Sequence, residues 1–134
     1  MSKVKGELAE MMFQVEATKR EYVVSKPFGD NQTYDFIVEK EGIVKRVQIK
    51  STSHGMHSRR GVYQINIVKS LPGSKRTGGA YQENDFDILA IQVVPLNEWY
   101  IIPMKEILNK TGIGIGYTDS KYNQYKEAWN LLRE

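Results

Sequence analysis

Cysteine is absent from the 134 residues, and histidine occurs only twice, at His54 and His57. The first absence excludes a disulfide framework and a thiolate zinc site, and two histidines are too few for a histidine-rich metal centre. No apolar run approaches membrane-spanning length. The N-terminal Met1 to Glu7 passes straight into an amphipathic pattern without an apolar leader, so a soluble, cytoplasmic protein is expected. Acidic residues are missing between Gly42 and Gln82, where Lys45, Arg46, Lys50, Arg59, Arg60, Lys69, Lys75 and Arg76 all fall. The net charge of +3 says little about partners, but this distribution is the footprint of a surface that neutralises phosphates. Arg59, Arg60, Lys69, Lys75 and Arg76 are therefore candidates for contacting nucleic acid, and Arg59, Arg60, Lys75 and Arg76 could either clamp phosphate or read a base.

The length fits one domain, residues 1–134, large enough to bury a core unaided. Helical spacing of Val4, Leu8, Met11 or Met12 and Val15 predicts an amphipathic first helix over about 3–20 with those residues on its core face. Tyr22 to Ser25 reads as a short strand, followed by a turn through Pro27, Gly29, Asp30 and Asn31. Ser51 to Arg60 reads as a loop, Gly61 to Val68 as a strand, and Lys69 to Asn84 as a long functional loop. Phe86 to Val94 and Trp99 to Ile102 read as the buried centre of a sheet. Asp85 and Asp87, at the entrance to the first of these strands, are read as holding turn backbone. A helix is expected from Pro103 to Lys110, ended by Gly112, and another over 121–133, with Tyr122, Tyr125, Trp129 and Leu132 on one core stripe.

The most informative feature is a hairpin. Tyr34 to Glu39 and Val44 to Lys50 both alternate with period two. A two-residue turn at Glu41 and Gly42 would pair residue 40 with 43 and so on back to 35 with 48. Asp35, Gln48 and Lys50 then share one face, while Phe36, Val38, Val47 and Ile49 go to the other. The Asp35 carboxylate, the Gln48 amide oxygen and the Ile49 carbonyl are hard oxygen donors of the kind Mg²⁺ or Mn²⁺ accepts, and a neighbouring Lys50 ammonium suits charge developing on water or phosphate.

That constellation lies within a longer series: Lys5-Gly6-Glu7-Leu8-Ala9-Glu10, Lys26-Pro27-Phe28-Gly29-Asp30, Tyr34-Asp35 and Val47-Gln48-Ile49-Lys50-Ser51-Thr52. In this order it resembles the PD-(D/E)XK nuclease superfamily, in particular the small intron-encoded homing endonucleases that carry Gln in place of the usual acidic residue. The resemblance implies an α/β fold with a mixed sheet flanked by helices, and a metal-dependent DNA endonuclease acting on double-stranded DNA. It also implies an acidic residue on the first helix that completes the metal site. Glu10 fits that position best, with Glu7, one helical turn away, as the alternative. The expected site is thus Glu10, Asp35, Gln48 and Lys50, with Ile49 supplying a carbonyl. The chain departs from the common pattern in having Tyr34 rather than proline before Asp35, and in Gln48, which removes one negative charge and weakens the hold on metal. Because two-fold assemblies place one site on each strand, a homodimer or homotetramer is expected. A structure-specific nuclease resembling a junction resolvase, or a DNA-binding protein that keeps the fold without cutting, remain the alternatives.

Overall fold

The computed structural model describes residues 2–29, 31–53, 55–56, 59–70, 77–116 and 120–134. It begins with helix α1 (Ser2–Lys19) and continues into a meander of β1 (Val23–Ser25), β2 (Phe36–Lys40) and β3 (Ile43–Thr52). The β2–β3 turn has both central residues at positive φ, Glu41 at 53° and Gly42 at 82°, as a primed hairpin turn requires. The ladder runs from Lys40 opposite Ile43 back to Phe36 opposite Val47, the register expected from the turn.

Next come β4 (Gly55–Met56), β5 (Arg59–Asn66), β6 (Val68–Ser70) and β7 (Thr77–Ala80), followed by β8 (Ile88–Val93), β9 (Glu98–Pro103) and β10 (Gly112–Ile115). Five strands form a mixed sheet in the order β1-β2-β3-β8-β9, in which only the β3–β8 pair is parallel. β10, β5 and β4 make a second, antiparallel sheet, and β6 pairs with β7. β8 is buried along its whole length, as its near-continuous apolar run implies. Its residues divide by parity. Ile88 and Ala90 face the cluster beneath α1, while Leu89, Ile91 and Val93 join the cluster that includes Ile65, Ile113 and Tyr122.

Four expectations are corrected. First, α1 turns Ala9, Phe13 and Ala17 to the sheet and leaves Val4, Leu8, Met11 and Val15 exposed. At 100° per residue the two rows lie on opposite sides of the helix, and the row with two alanines around one phenylalanine lets the backbone approach the sheet closely. Second, Ser51 to Arg60 is not a loop, since β3 continues to Thr52, β4 follows, and β5 already begins at Arg59. Third, the Lys69 to Asn84 stretch contains β7, which folds back on β6. Fourth, neither C-terminal helix forms. Met104–Glu106 is a single 3₁₀ turn and Gly112 opens β10 rather than ending a helix.

Residues 121–133 make two 3₁₀ turns, Lys121–Tyr125 and Trp129–Arg133, separated at Glu127, whose φ is 53°. Glu127 draws the chain onto β9: its backbone N–H donates to Trp99 O at 2.7 Å. Its carboxylate accepts from Trp99 N at 2.7 Å and from Trp129 Nε1 at 2.8 Å. These bonds outweigh helical continuity, while the stripe of Tyr122, Tyr125, Trp129 and Leu132 is buried as expected. Glu127→Ala, which strips an acceptor from two donors, is expected to destabilise the protein by roughly 1–3 kcal/mol in urea unfolding. An unchanged midpoint would mean that the contact contributes nothing net.

Candidate active site

β2 stops pairing with β3 at Val47, and the site begins there. Asp35 falls just outside β2, which starts two residues later than the alternation from Tyr34 suggested. Its backbone N–H donates to Val47 O at 2.9 Å, and its Oδ2 accepts from Ile49 N at 2.8 Å. A side chain thus takes over where the ladder ends and clamps the carboxylate against the Gln48-Ile49 peptide. Val47 and Ile49 are buried on the α1 side of the sheet, and Gln48 and Lys50 are half-buried on the other. The Gln48 amide nitrogen makes a long bond, 3.3 Å, to Ile49 O, a carbonyl with a second lone pair to spare. Lys50 Nζ sits 5.7 Å from the ring centre of Tyr81, within cation–π range.

The helix places the two glutamates differently. Around α1, Glu10 lies roughly 60° from Phe13 and Glu7 roughly 120°. Glu10 is accordingly half-buried at the margin of the sheet-facing side, and Glu7 is exposed. Glu10, Lys26 and Asp35 line one small cavity of about 110 Å³, walled by Pro27, Gly29 and Tyr34, and Glu7 does not reach it. Glu10 Oε1 is 3.4 Å from Lys26 Nζ.

The electrostatics follow from burial. Burial pushes the Asp35 carboxyl above the ordinary carboxylate range; the Ile49 N–H works against this, Glu10 reinforces it, and Lys50 and Lys26 oppose it. Burial likewise lowers the Lys50 ammonium, opposed by Asp35. The Tyr81 hydroxyl is pushed up to about 12 by burial, then by Asp35 and Asp85. An anion held where water is scarce, beside a second carboxylate, is an arrangement that a cation relieves. The available donors are two carboxylates, an amide oxygen and a backbone carbonyl, all hard oxygens that fit Mg²⁺ or Mn²⁺ better than a thiophilic metal. Among the described residues no group of three or more His, Cys, Asp or Glu converges anywhere. Any metal at this site would therefore lean on Gln48 and the carbonyl.

Of the basic block, Lys69 is already matched, its Nζ 2.9 Å from Asp85 Oδ2, and that carboxylate also accepts from Gln82 N at 2.7 Å. Arg46 is held by Asp87 and by Asn84 O, so both aspartates hold local structure, as read from sequence. Arg59 and Arg60 lie on β5; their side chains, together with Lys75, Arg76, His54 and His57, fall outside the described residues.

Comparison with known proteins assigns the family and the fold. A model of the PD-(D/E)XK endonuclease family matches residues 1–132. The chain belongs to that family. PD-(D/E)XK nucleases generally use divalent metals. The chain is also similar to Protein 5.3 of Escherichia phage T7, with 29% identity over 111 residues, 83% of this chain and 87% of that protein. Among solved structures it is similar to the bacterial homing endonuclease I-Ssp6803I, with a TM-score of 0.82 and 29% identity, covering 96% of this chain and 90% of that one. Among the described residues of this PD-(D/E)XK chain, no helix is long and apolar enough to cross a membrane.

Sequence reasoning missed Lys26 and Tyr81 as neighbours of the site. Lys26 stood inside the motif series, but nothing in its spacing tied it to Glu10, sixteen residues away. Tyr81 lay in a stretch read as loop.

Proposed function

We propose that this PD-(D/E)XK nuclease is a Mg²⁺- or Mn²⁺-dependent endonuclease acting on duplex DNA, with residues 1–134 forming one domain. Glu10, Asp35, Gln48 and the Ile49 carbonyl would hold the ion, and Lys50 would stand beside the reacting phosphate. The observation that carries this reading is the Asp35 carboxylate bonded to Ile49 N at 2.8 Å, in a cavity shared with Glu10. A divalent ion bound there supplies Lewis acidity and lowers the pKa of its water. Asp35 and Glu10 would fix its position, Gln48 would contribute a neutral donor, and Lys50 would stabilise negative charge on the phosphate oxygens as the attacking oxygen adds. The basic block, from Lys45 past Lys50 to Arg76, begins in the sequence on this strand, and its charge supports an extended nucleic-acid contact. Site-specific cutting of both strands calls for two active centres, so a homodimer or homotetramer belongs to this reading.

The test is cleavage of supercoiled plasmid and of a four-way junction in Mg²⁺ or Mn²⁺, comparing wild type with Glu10→Gln and Glu7→Gln. Metal-dependent cutting that chelator abolishes, that falls about a hundredfold or more in Glu10→Gln, and that persists in Glu7→Gln is expected. Equal loss in both glutamate variants would overturn the assignment of Glu10. Cutting of the junction alone would favour a structure-specific nuclease. Salt-sensitive DNA binding with no cutting of either substrate would favour a non-cutting binder, the outcome that Gln48 makes worth testing.

A further inference from the structure

The row of α1 residues facing the sheet runs Ala17, Phe13, Ala9 and then Gly6, so at its N-terminal end the helix has no side chain to put against the strands. A cavity of about 790 Å³ opens there, between Lys5, Gly6 and Met12 on one side and the ends of β3 and β8 on the other. Lys50 contributes to its wall, so the cavity adjoins the metal-site residues along the part of β3 that β2 no longer covers. A Cβ built on Gly6 meets nothing within 4 Å. At its wall lies Gln92, 2% exposed, opposite Ser51 in the parallel β3–β8 register. Its amide nitrogen donates to the Met12 thioether at 3.1 Å, and among the described residues the Gln92 side chain makes no other hydrogen bond, its backbone being paired within the sheet. Sulfur is a weak acceptor, and a buried amide satisfied only by sulfur lacks most of the bonding that burial demands.

We propose that this cavity receives one unpaired nucleobase of the DNA strand, next to the phosphate at the Lys50 end, with the Gln92 amide on the base edge and Lys5 toward the backbone phosphate. The volume falls in the range of small-molecule sites and exceeds what one base needs. Once its nitrogen gives up the weak bond to Met12, the primary amide offers a donor beside an acceptor, the pattern that matches a base edge bidentately. The walls from Met12, Ile49 and Val94 suit the faces of an unstacked base. An intact duplex cannot present a base this way, so the nucleotide must leave the stack at a cost of a few kcal/mol, which is smallest where it is already unpaired. This inference rests on the nuclease reading for the place of the DNA, but its test does not depend on cutting.

The experiment measures binding of a fluorescein-labelled duplex, with and without a one-nucleotide bulge, in Ca²⁺ to suppress cleavage, alongside a Mg²⁺ cleavage assay of the wild type. Wild type is expected to bind the bulged duplex about tenfold more tightly. Gly6→Phe, which puts a ring into the cavity where the base would lie, from a helical position with open space around it, is expected to erase that preference without lowering the melting temperature. Gln92→Met is expected to reduce it while folding at least as stably, since it removes a poorly satisfied amide. Equal affinity of the wild type for both duplexes, or a preference that survives Gly6→Phe, would overturn the inference. If metal-dependent cutting accompanies that result, the nuclease reading stands without it. If instead the bulge preference is found in a protein that cuts nothing, the base site stands and the catalytic reading falls.

Discussion

Asp35→Asn is expected to abolish DNA cleavage, by a factor of at least about a thousand, and at the same time to make the metal-free protein more stable. The two effects share one cause. The carboxylate is buried next to Glu10, which raises its protonation range above that of an unfolded chain. An acid whose folded-state pKa is raised costs stability wherever it is ionised, and the cost disappears as pH falls through the folded value toward the unfolded one. Asparagine keeps an oxygen to accept from Ile49 N and carries no charge, so a gain on the order of 1 kcal/mol is expected at neutral pH. That gain should shrink as the solution is acidified into the carboxylate range. Divalent metal reverses the ranking: at a hundred times its dissociation constant an ion stabilises the wild type by about 2.7 kcal/mol and should leave Asp35→Asn unmoved. Thermal melts with chelator and with Mg²⁺ across neutral to mildly acidic pH measure all of this. A variant less stable than wild type without metal would show that Asp35 is held for structure rather than for a cation. Lys50→Met is the companion variant: cleavage should fall about a hundred- to a thousandfold, with metal stabilisation retained.

Phe13→Ala is expected to cost about 3–5 kcal/mol, a large share of the roughly 5–15 kcal/mol a domain commonly possesses. Phe13 is fully buried and touches three other rings: it stacks on Phe36 at 5.8 Å and 12°, meets Trp99 edge-on at 5.8 Å, and lies 5.7 Å from Trp129. These contacts tie α1 to β2, β9 and the last turn of the chain. Val15→Ala, on the opposite side of α1, should change stability by no more than about 0.5 kcal/mol. Urea titration of the two variants decides which face of α1 is the inner one, and comparable losses would contradict the packing described. Because Glu10 sits one helical turn from Phe13, loosening that contact should also weaken metal binding before the protein unfolds.

The hairpin was legible because two constraints coincide on it. Period-two alternation fixes the faces and the two-residue turn fixes the register, so Asp35 beside the Gln48-Ile49 peptide followed from counting. Glu41 at positive φ was less visible, since glutamate carries no turn signal of its own. The inner face of α1 was not legible, because the helix carries two apolar rows and hydrophobicity favours the larger side chains of Val4, Leu8, Met11 and Val15. The row that wins is the one whose small residues permit close approach, which only the sheet can select. At the C-terminus the helical spacing of aromatic residues correctly marked burial, but Glu127 bonds to β9 and Trp129, a tertiary choice that local periodicity does not encode. Gln92 was hidden in plain view: within an apolar strand, one amide reads as an exception to the pattern rather than as part of a cavity wall.

β3 changes partners at Val47, antiparallel to β2 before it and parallel to β8 beyond it. The Gln48 to Lys50 segment therefore belongs to the innermost strand pair, and the amide of Ile49 is held by Asp35 on one side of that pair. Beyond the β2 ladder that amide is held by a single side-chain bond, so release of the Asp35 carboxylate is enough to expose it. Hydrogen exchange at Ile49 would report the release of one carboxylate rather than the opening of the sheet, so the centre can loosen while the fold around it holds.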